Sequence, residues 1–337
     1  MISRRHALLL GAGALIPRDS AAQSKYPERP IRLVVPFVPG GITDAVGRLW
    51  AERMKALLGP VIIENLSGGG GVVGSTAVAH AQSDGYAILL GATGPLILAP
   101  FAANQPPYDP ARDFVPISIL GVAPVSFVVH PSLSVRNLNE LVAYAKANPG
   151  KLTYGSPGVG TINHLTGELF KSLTRTDDIV HIPYKGSGQA ITDLIGGQIL
   201  MAIVGVSGQV RELHQAGKLM MLAVTAPARI SAAPEIPTAV EQGLPGIIAE
   251  AFYGLFAPAG TPTAIVAQVS DATRTAMGDD GFREKLIALG FEPYPDASPA
   301  AARRFVQGEI VRWRPVIRRS GQVRYANRQF KKNLKAK

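Results

Sequence analysis

The sequence contains no cysteine and no clustered histidines. Without cysteine among its 337 residues, the chain cannot form disulfides, use a thiolate nucleophile or bind a metal through cysteine. The six histidines follow neither an H-x-x-x-H nor an H-E-x-x-H spacing, which are the patterns typical of zinc sites. We therefore expect no metal site in this protein.

The chain also lacks a membrane-length apolar run and, over most of its length, a net charge. No window reaches the roughly 20 apolar residues that a membrane-spanning helix needs. The formal charge is +10, but residues 1–22 carry +2 and residues 318–337 carry +8. The rest of the chain is neutral, so its charge does not indicate a nucleic-acid partner.

The first residues have the order of an export signal. Arg4 and Arg5 form a basic region, residues 7–16 form a short apolar stretch, and Ser20-Ala21-Ala22 supplies small residues at a cleavage position. This order is typical of a secretory signal peptide. It predicts that residues 1–22 are removed and that the mature protein acts in the periplasm. A buried N-terminal helix is the alternative interpretation.

Strand and helix patterns alternate along the remaining chain, which is long enough for two domains. Apolar β-branched runs, such as residues 31–36, precede segments of helical spacing, such as residues 43–58. This alternation predicts an α/β fold with parallel sheets. A strand is expected over residues 253–257 and a last helix over residues 299–311. No internal repeat is evident.

Four glycine-rich turns each follow a predicted strand and precede a predicted helix. They read "PFVPGGITD", "ENLSGGGGVVG", "YGSPGVGTINHL" and "IPYKGSGQA". In open α/β sheets, ligands bind beyond the carboxyl ends of the strands, where such turns lie. Glycine also permits close approach to the backbone, and helix N-termini favour anions. The four turns therefore predict a site for a small anionic ligand.

Two enzymatic interpretations of these turns are weaker. Residues 69–74 fit G-x-G-x-x-G, but they do not follow the first strand, and no acidic residue ends a following strand at the usual distance, so we expect no dinucleotide cofactor. Ser156, Ser187 and Ser207 lie in loops, with His164 and His181 nearby in sequence, but G-x-S-x-G is absent. A periplasmic hydrolase of small carboxylic esters remains the alternative function.

The ordered set of motifs resembles one receptor family. Besides the four turns, the chain contains "LAVTAPARISAAPEIPTAVEQGLPG" and "YGLFAPAGTP", and the resemblance runs from about residue 26 to residue 321. In this order they resemble the Bug-type, TctC-like extracytoplasmic solute receptors of tripartite tricarboxylate transporters. The resemblance implies a fold like that of type II periplasmic binding proteins, with two lobes that close on a carboxylated ligand.

The resemblance also implies a set of ligand-binding residues and a division into lobes. Lobe one is expected over residues 24–122 plus 227–337, and lobe two over residues 123–226. The residues carried over from the four turns are Pro39, Gly40, Gly41, Asp44, Asn65, Ser67, Gly68, Ser156, Gly160, Thr161, His164, Tyr184, Lys185 and Gly186.

The implied function is binding, not catalysis. The protein is expected to be a monomer that captures a dicarboxylate, tricarboxylate, amino acid or aromatic acid and presents it to the permease subunits of a tripartite tricarboxylate transporter. No cofactor is expected. A sensor subunit that reports a carboxylate to a signalling partner is a third interpretation.

Overall fold

The computed structural model describes residues 26–103, 105–184 and 186–319. The predicted export segment, the site residue Lys185 and the basic tail after residue 319 lie outside the described residues. Within those residues, no helix is both long enough and apolar enough to cross a bilayer.

The strands and helices alternate over most of the chain, as the sequence pattern predicts. The strands are β1 Ile31–Val35, β2 Val61–Asn65, β3 Ala87–Ala92, β4 Phe114–Val129, β5 Thr153–Ser156, β6 Val180–Pro183, β7 Met201–Gly205, β8 Met220–Val224, β9 Glu250–Pro258 and β10 Glu292–Pro293. The helices are α1 Ile42–Leu57, α2 Val72–Ala79, α3 Ala99–Ala102, α4 Leu138–Ala147, α5 Ile162–Thr174, α6 Ser187–Ile195, α7 Gly208–Gln215, α8 Thr263–Met277, α9 Asp280–Ala288 and α10 Pro299–Arg319.

The strands form two parallel groups that two antiparallel strands join. The order is β2-β1-β3-β9-β4-β7-β5-β6, and β8 and β10 pair with β4 outside this path. We call β1, β2 and β3 the first parallel group, and β5, β6 and β7 the second. The expected parallel pairing holds within each group, whereas β4 and β9 at the centre run antiparallel to their neighbours.

β4 is the strand that holds the two groups together. Its first part, through Pro124, pairs with β9, and its last part, from Val125, pairs with β7 and β8. One apolar core contains residues from both sides of this crossing, including Leu89 of β3 and Phe170 of α5. Trp313 of α10 is fully buried in the same core, and α10 also packs on β4 and α5. The last helix therefore bridges the two groups.

Candidate ligand-binding site

The carboxyl ends of the two parallel groups face each other across the junction. β3 has the same direction as β4, whereas β7 has the opposite direction, because the pairings of β3 with β9, β9 with β4 and β4 with β7 are all antiparallel. Tyr253 of β9 pairs both with Ala92, the last residue of β3, and with Gly121 of β4. Ala92 and Gly121 therefore lie at the same level of the sheet. Gly205 at the end of β7 lies level with Val125. These levels are four residues apart along β4, which is about 13 Å of strand.

The predicted turns therefore converge on this junction. The turn after β1 precedes α1, the turn after β2 precedes α2, the turn after β5 precedes α5, and the turn after β6 precedes α6. Since the parallel strands of each group end at the same edge of the sheet, the structure brings the turns of each group together. The antiparallel relation of the groups then turns the two edges towards one another.

The first turn is held by a buried carboxylate. Gly40 has a φ of 82°, which favours glycine, and its N–H donates to Asp44 Oδ2 at 2.9 Å. Asp44 also accepts from the guanidinium of Arg48 at 2.8 and 3.2 Å and from Asn65 Nδ2 at 3.0 Å. Asp44 is only 3% exposed. Its carboxylate is therefore saturated by protein donors.

These donors fix the charge state of Asp44. The hydrogen bond from Arg48 lowers the pKa of Asp44 to about 2, with further lowering by the Gly40 N–H and the Asn65 amide, against the opposing effect of burial. Asp44 is thus ionised at neutral pH, and Arg48 compensates its charge. Sequence reasoning missed Arg48, although its position four residues after Asp44 on a helix is the spacing of an ion pair.

The second turn consists of four glycines and lies against the first. Gly68, Gly69, Gly70 and Gly71 all have positive φ, between 56° and 145°. A Cβ on Gly71 would lie 3.0 Å from the Pro95 ring and 3.2 Å from the Phe37 ring. The four-glycine turn therefore permits a close approach to its neighbours that a side chain would prevent.

Two polar residues precede these glycines, and they have different surroundings. Asn65 Nδ2 donates to Phe37 O at 3.0 Å as well as to Asp44, so Asn65 ties the end of β2 to the first turn. Ser67 is exposed. Of the two, Asn65 has a defined structural role.

The third turn repeats this arrangement on the other side of the junction. Gly160 has a φ of 85°, and its N–H donates to His164 Nδ1 at 3.3 Å. Thr161 is the N-cap of α5: its hydroxyl accepts from His164 N at 3.2 Å and donates to Gly158 O at 2.8 Å. His164 is 6% exposed.

The rings of His164, His181 and Tyr154 form a stack next to the third turn. The His181 ring lies 4.1 Å from that of His164 and 4.7 Å from that of Tyr154, measured between centroids. Burial lowers the pKa of His164 to about 4, with a smaller effect of Lys171. Burial, followed by the neighbouring His164, lowers the pKa of His181 to about 3. Both imidazoles are therefore neutral at physiological pH.

Ser156 and His181 form the serine–histidine pair that a hydrolase would need, but in a buried setting. Ser156 Oγ lies 2.7 Å from His181 Nε2, and it also accepts from Gly158 N at 3.3 Å. Ser156 is fully buried, so its oxygen is not placed to attack a substrate. The pair supports the turn that follows β5.

The fourth turn connects β6 to α6. Tyr184 N donates to Ser156 O at 2.9 Å, and its hydroxyl donates to Asp193 Oδ2 at 2.8 Å. Gly186 has a φ of 148° and is the N-cap of α6 without a side-chain cap. Tyr184 and Gly186 thus lie beside the third turn, on the second side of the junction.

Two further residues reach the junction without having been predicted as site residues. Thr43 Oγ1 donates to Tyr253 Oη at 2.9 Å, which ties α1 to β9. Thr93, directly after β3, accepts from Phe252 N at 2.7 Å and is 3% exposed. No local motif marks Thr93, since its partner lies 159 residues away.

The described residues contain no group of histidine, aspartate and glutamate side chains that could hold a metal ion. Among the polar groups that the described part of the chain offers here are backbone N–H groups at helix starts. α1 and α6 begin at glycine N-caps without a side-chain cap, whereas α4 and α9 are capped by Asn137 and Asp279. Uncapped N–H groups are ready donors for an anion.

Comparison with known proteins gives one consistent family. Residues 46–322 match the model of the tripartite tricarboxylate transporter family receptor, TctC. The chain is 36% identical to the protein BugT of Bordetella pertussis over 298 residues, which cover 88% of this chain and 90% of BugT.

Solved structures of the same kind are similar over most of the chain. Rpa4515 of R. palustris with adipate is 35% identical, with a TM-score of 0.71 and coverage of 88% of this chain and 98% of that one. MatC of Rhodopseudomonas palustris with bound malate is 33% identical, with a TM-score of 0.69 and coverage of 87% and 100%. A TctC solute-binding protein from Polaromonas is 27% identical, with a TM-score of 0.78 and coverage of 87% and 99%. The chain therefore belongs to the family of tripartite tricarboxylate transporter receptors.

Proposed function

We propose that this receptor captures a small carboxylate between the two parallel groups and delivers it to the permease subunits of a tripartite tricarboxylate transporter. The observation that supports the proposal is that the carboxyl ends of the two parallel groups, which the glycine-rich turns follow, face each other along β4. Receptors similar to this chain hold adipate and malate, which are both dicarboxylates.

The physical basis of binding is the backbone. The first N–H groups of a helix have no acceptor within the helix and carry a partial positive charge. A carboxylate that accepts from them is stabilised without the desolvation of a buried lysine or arginine. The uncapped starts of α1 and α6 suit this role. Asp44 and His164, by contrast, are engaged with the turns themselves.

Ligand capture is proposed to close two lobes, over residues 24–122 plus 227–337 and over residues 123–226. The transfer of β4 from β9 to β7 at Pro124 and Val125 supports a boundary at this point. The ligand would favour the closed form through its greater affinity for that form.

The proposal includes the setting in which the receptor works. The receptors of this family act in the periplasm. We propose that residues 1–22 direct export and that the mature chain acts as a monomer. Mass spectrometry of the secreted protein, with a mature start near Gln23, tests export. Sedimentation velocity of the mature chain tests whether it is a monomer.

A thermal-shift screen tests ligand capture. The mature protein is heated with dicarboxylates, tricarboxylates, acidic amino acids and aromatic acids, with sodium sulfate at equal ionic strength as the control. An acid at 100 times its dissociation constant should stabilise the protein by about 2.7 kcal/mol, which raises the midpoint by several degrees. The proposal fails if no acid raises the midpoint above the sulfate control.

A further inference from the structure

The first and third turns are related by a constant offset of 120 residues. Gly40, Ile42, Gly47 and Leu49 each have an identical residue 120 positions later. The backbone agrees as well: φ is 82° at Gly40 and 85° at its counterpart Gly160. The expectation that the chain has no internal repeat is therefore wrong for this β–turn–α unit.

The N-caps and packing of the two units also correspond. Gly41 has φ −81° and ψ 171°, and Thr161 has φ −77° and ψ 159°. A Cβ on Gly47 would meet Val35 of β1, and a Cβ on Gly167 would meet Tyr154 of β5. In each unit, a helical glycine lets the helix lie close on its strand.

Asp44 and His164 stand at corresponding positions and make the same contact. Asp44 accepts the N–H of Gly40 at 2.9 Å, and His164 Nδ1 accepts the N–H of Gly160 at 3.3 Å. Both side chains are buried, with 3% and 6% exposed. The residue types differ, but each supplies an acceptor four residues after a glycine of positive φ.

We infer that Asp44 and His164 are matched positioning residues that hold the two glycine turns in the ligand-binding conformation and do not contact the ligand. The inference rests on the proposed function in so far as the turns bind the ligand. Each acceptor fixes the orientation of one peptide of the turn, directly before the start of α1 or of α5.

The two positioning residues obtain their acceptor state differently. Asp44 is an anion because Arg48 and Asn65 donate to it. His164 is an acceptor only while its Nδ1 carries no proton. Its ring lies in a stack with His181 and Tyr154, and the charged groups nearest to the stack are Glu168 and Lys171 of α5.

The chain offers matched controls for both residues. His214 Nδ1 accepts from Met221 N at 3.3 Å, which is the same kind of hydrogen bond outside the two matched turns. Asp279 accepts from Phe282 N at 2.9 Å and pairs with Arg53 at 2.9 Å. This is the combination of backbone amide and arginine that Asp44 has.

The experiment measures two quantities in each variant: hydrogen exchange of the turn amides without ligand, and affinity for the acid of highest affinity in the carboxylate screen. His164→Leu should speed exchange of the peptide containing Gly160 at least tenfold and weaken affinity at least tenfold. His164→Asn should restore both to within threefold, because Asn Oδ1 occupies the place of Nδ1. Asp44→Ala should have the same effects at the peptide containing Gly40.

The controls and a pH series decide the outcome. His214→Leu and Asp279→Ala should change neither turn exchange nor affinity by more than twofold. Between pH 7 and pH 4 the wild type should lose about twofold more affinity than His164→Asn, since about half of its His164 is protonated at pH 4 and the protonation of the acid affects both equally.

Unchanged turn exchange in both His164→Leu and Asp44→Ala overturns the inference, and so does an affinity loss in the controls as large as in the test variants. If His164→Leu does not fold, the pH comparison with His164→Asn decides alone, and equal pH profiles overturn it. If the protein binds no acid, the proposed function is refuted. The hydrogen exchange of the turn amides is measured without ligand, so it still decides whether Asp44 and His164 hold the turns.

Discussion

Two adjacent glycines at the start of α1 have different backbone conformations and therefore different tolerances. Gly40 has a φ of 82°, whereas Gly41 has φ −81° and ψ 171°, which any residue adopts. Gly40→Ser should cost about 1–2 kcal/mol of stability because of its left-handed backbone. Gly41→Ser should raise stability by a few tenths of a kcal/mol by capping α1. Urea denaturation of both variants tests this, and equal destabilisation would contradict it.

The hydroxyl of Thr161 caps α5 on the opposite side of the junction. Thr161→Val removes the bond to His164 N and should lower stability by about 1 kcal/mol. Asn137→Ala removes the matching cap of α4 and should cost a similar amount. Titration with a carboxylate should show weaker binding only in Thr161→Val. An equal affinity in both variants would mean that Thr161 serves the helix alone.

At this scale the sequence predicts which turns meet, but not what each side chain does there. Gly40 and Gly160 are recognisable because glycine follows a strand and precedes a helix. The role of Asp44 depends on Asn65, which lies 21 residues away. The role of His164, in α5, depends on stacking with His181 of β6. Such contacts have no local pattern. The assignment of the fourteen predicted residues to the ligand stays a prediction.

The unit β5–turn–α5 makes stability depend on pH through the neutral imidazole of His164. The pKa of His164 is about 4 in the folded chain and about 6.5 in an unfolded one. Between these values the unfolded chain binds a proton that the folded chain does not, so stability falls as the pH drops from 6.5 to 4. His164→Asn removes this contribution.

Denaturation at pH 7, 6, 5 and 4 measures the effect as a difference. Relative to His164→Asn, the wild type should lose up to about 1.4 kcal/mol for each pH unit well below 6.5. The comparison also cancels Glu250, whose pKa burial raises to about 7 and which changes stability in the opposite direction. A difference that does not vary with pH would contradict a neutral buried His164.

The packing of α5 on β5 depends on a glycine that contacts an aromatic ring. A Cβ on Gly167 would lie 2.3 Å from the Tyr154 ring, whereas one on Gly308 of α10 would meet none of the residues that the structure describes within 4 Å. Gly167→Ala should therefore destabilise by about 1–3 kcal/mol through overpacking. Gly308→Ala should stabilise by about 0.5–1 kcal/mol through helix propensity. Thermal denaturation of the two alanine variants distinguishes these effects, and a loss of stability in both would contradict them.

Among the elements, β4 shows where sequence patterns fail. Its apolar run contains Pro116 and Pro124, and proline interrupts a strand prediction because it cannot donate to the ladder. In the structure, Pro116 lies beside a register shift and Pro124 lies opposite the first residue of β9. α7 and α9 were also not predicted, and α10 extends from the expected end at residue 311 to Arg319.

The whole molecule confirms the predicted fold class and family. Alternating strands and helices indicate an α/β fold, and the similar receptors share it over 87–88% of this chain. The family also confirms a receptor in preference to an enzyme. The lobe boundaries stay a prediction, since the crossing of β4 depends on pairings between distant segments.

One titration tests the central claim, that the junction binds a carboxylate through the glycine turns. Isothermal titration compares each acid of the panel with its neutral amide, in the wild type and in Gly41→Val. The Gly41 backbone accepts valine, and within the described part of the chain the one atom that the new Cβ would meet inside 4 Å, apart from its chain neighbours, is Val38 O at 3.7 Å.

The account predicts saturable binding of at least one acid, no binding of its amide, and at least tenfold weaker binding in a folded Gly41→Val. Equal binding of acid and amide, or full affinity in folded Gly41→Val, would contradict it.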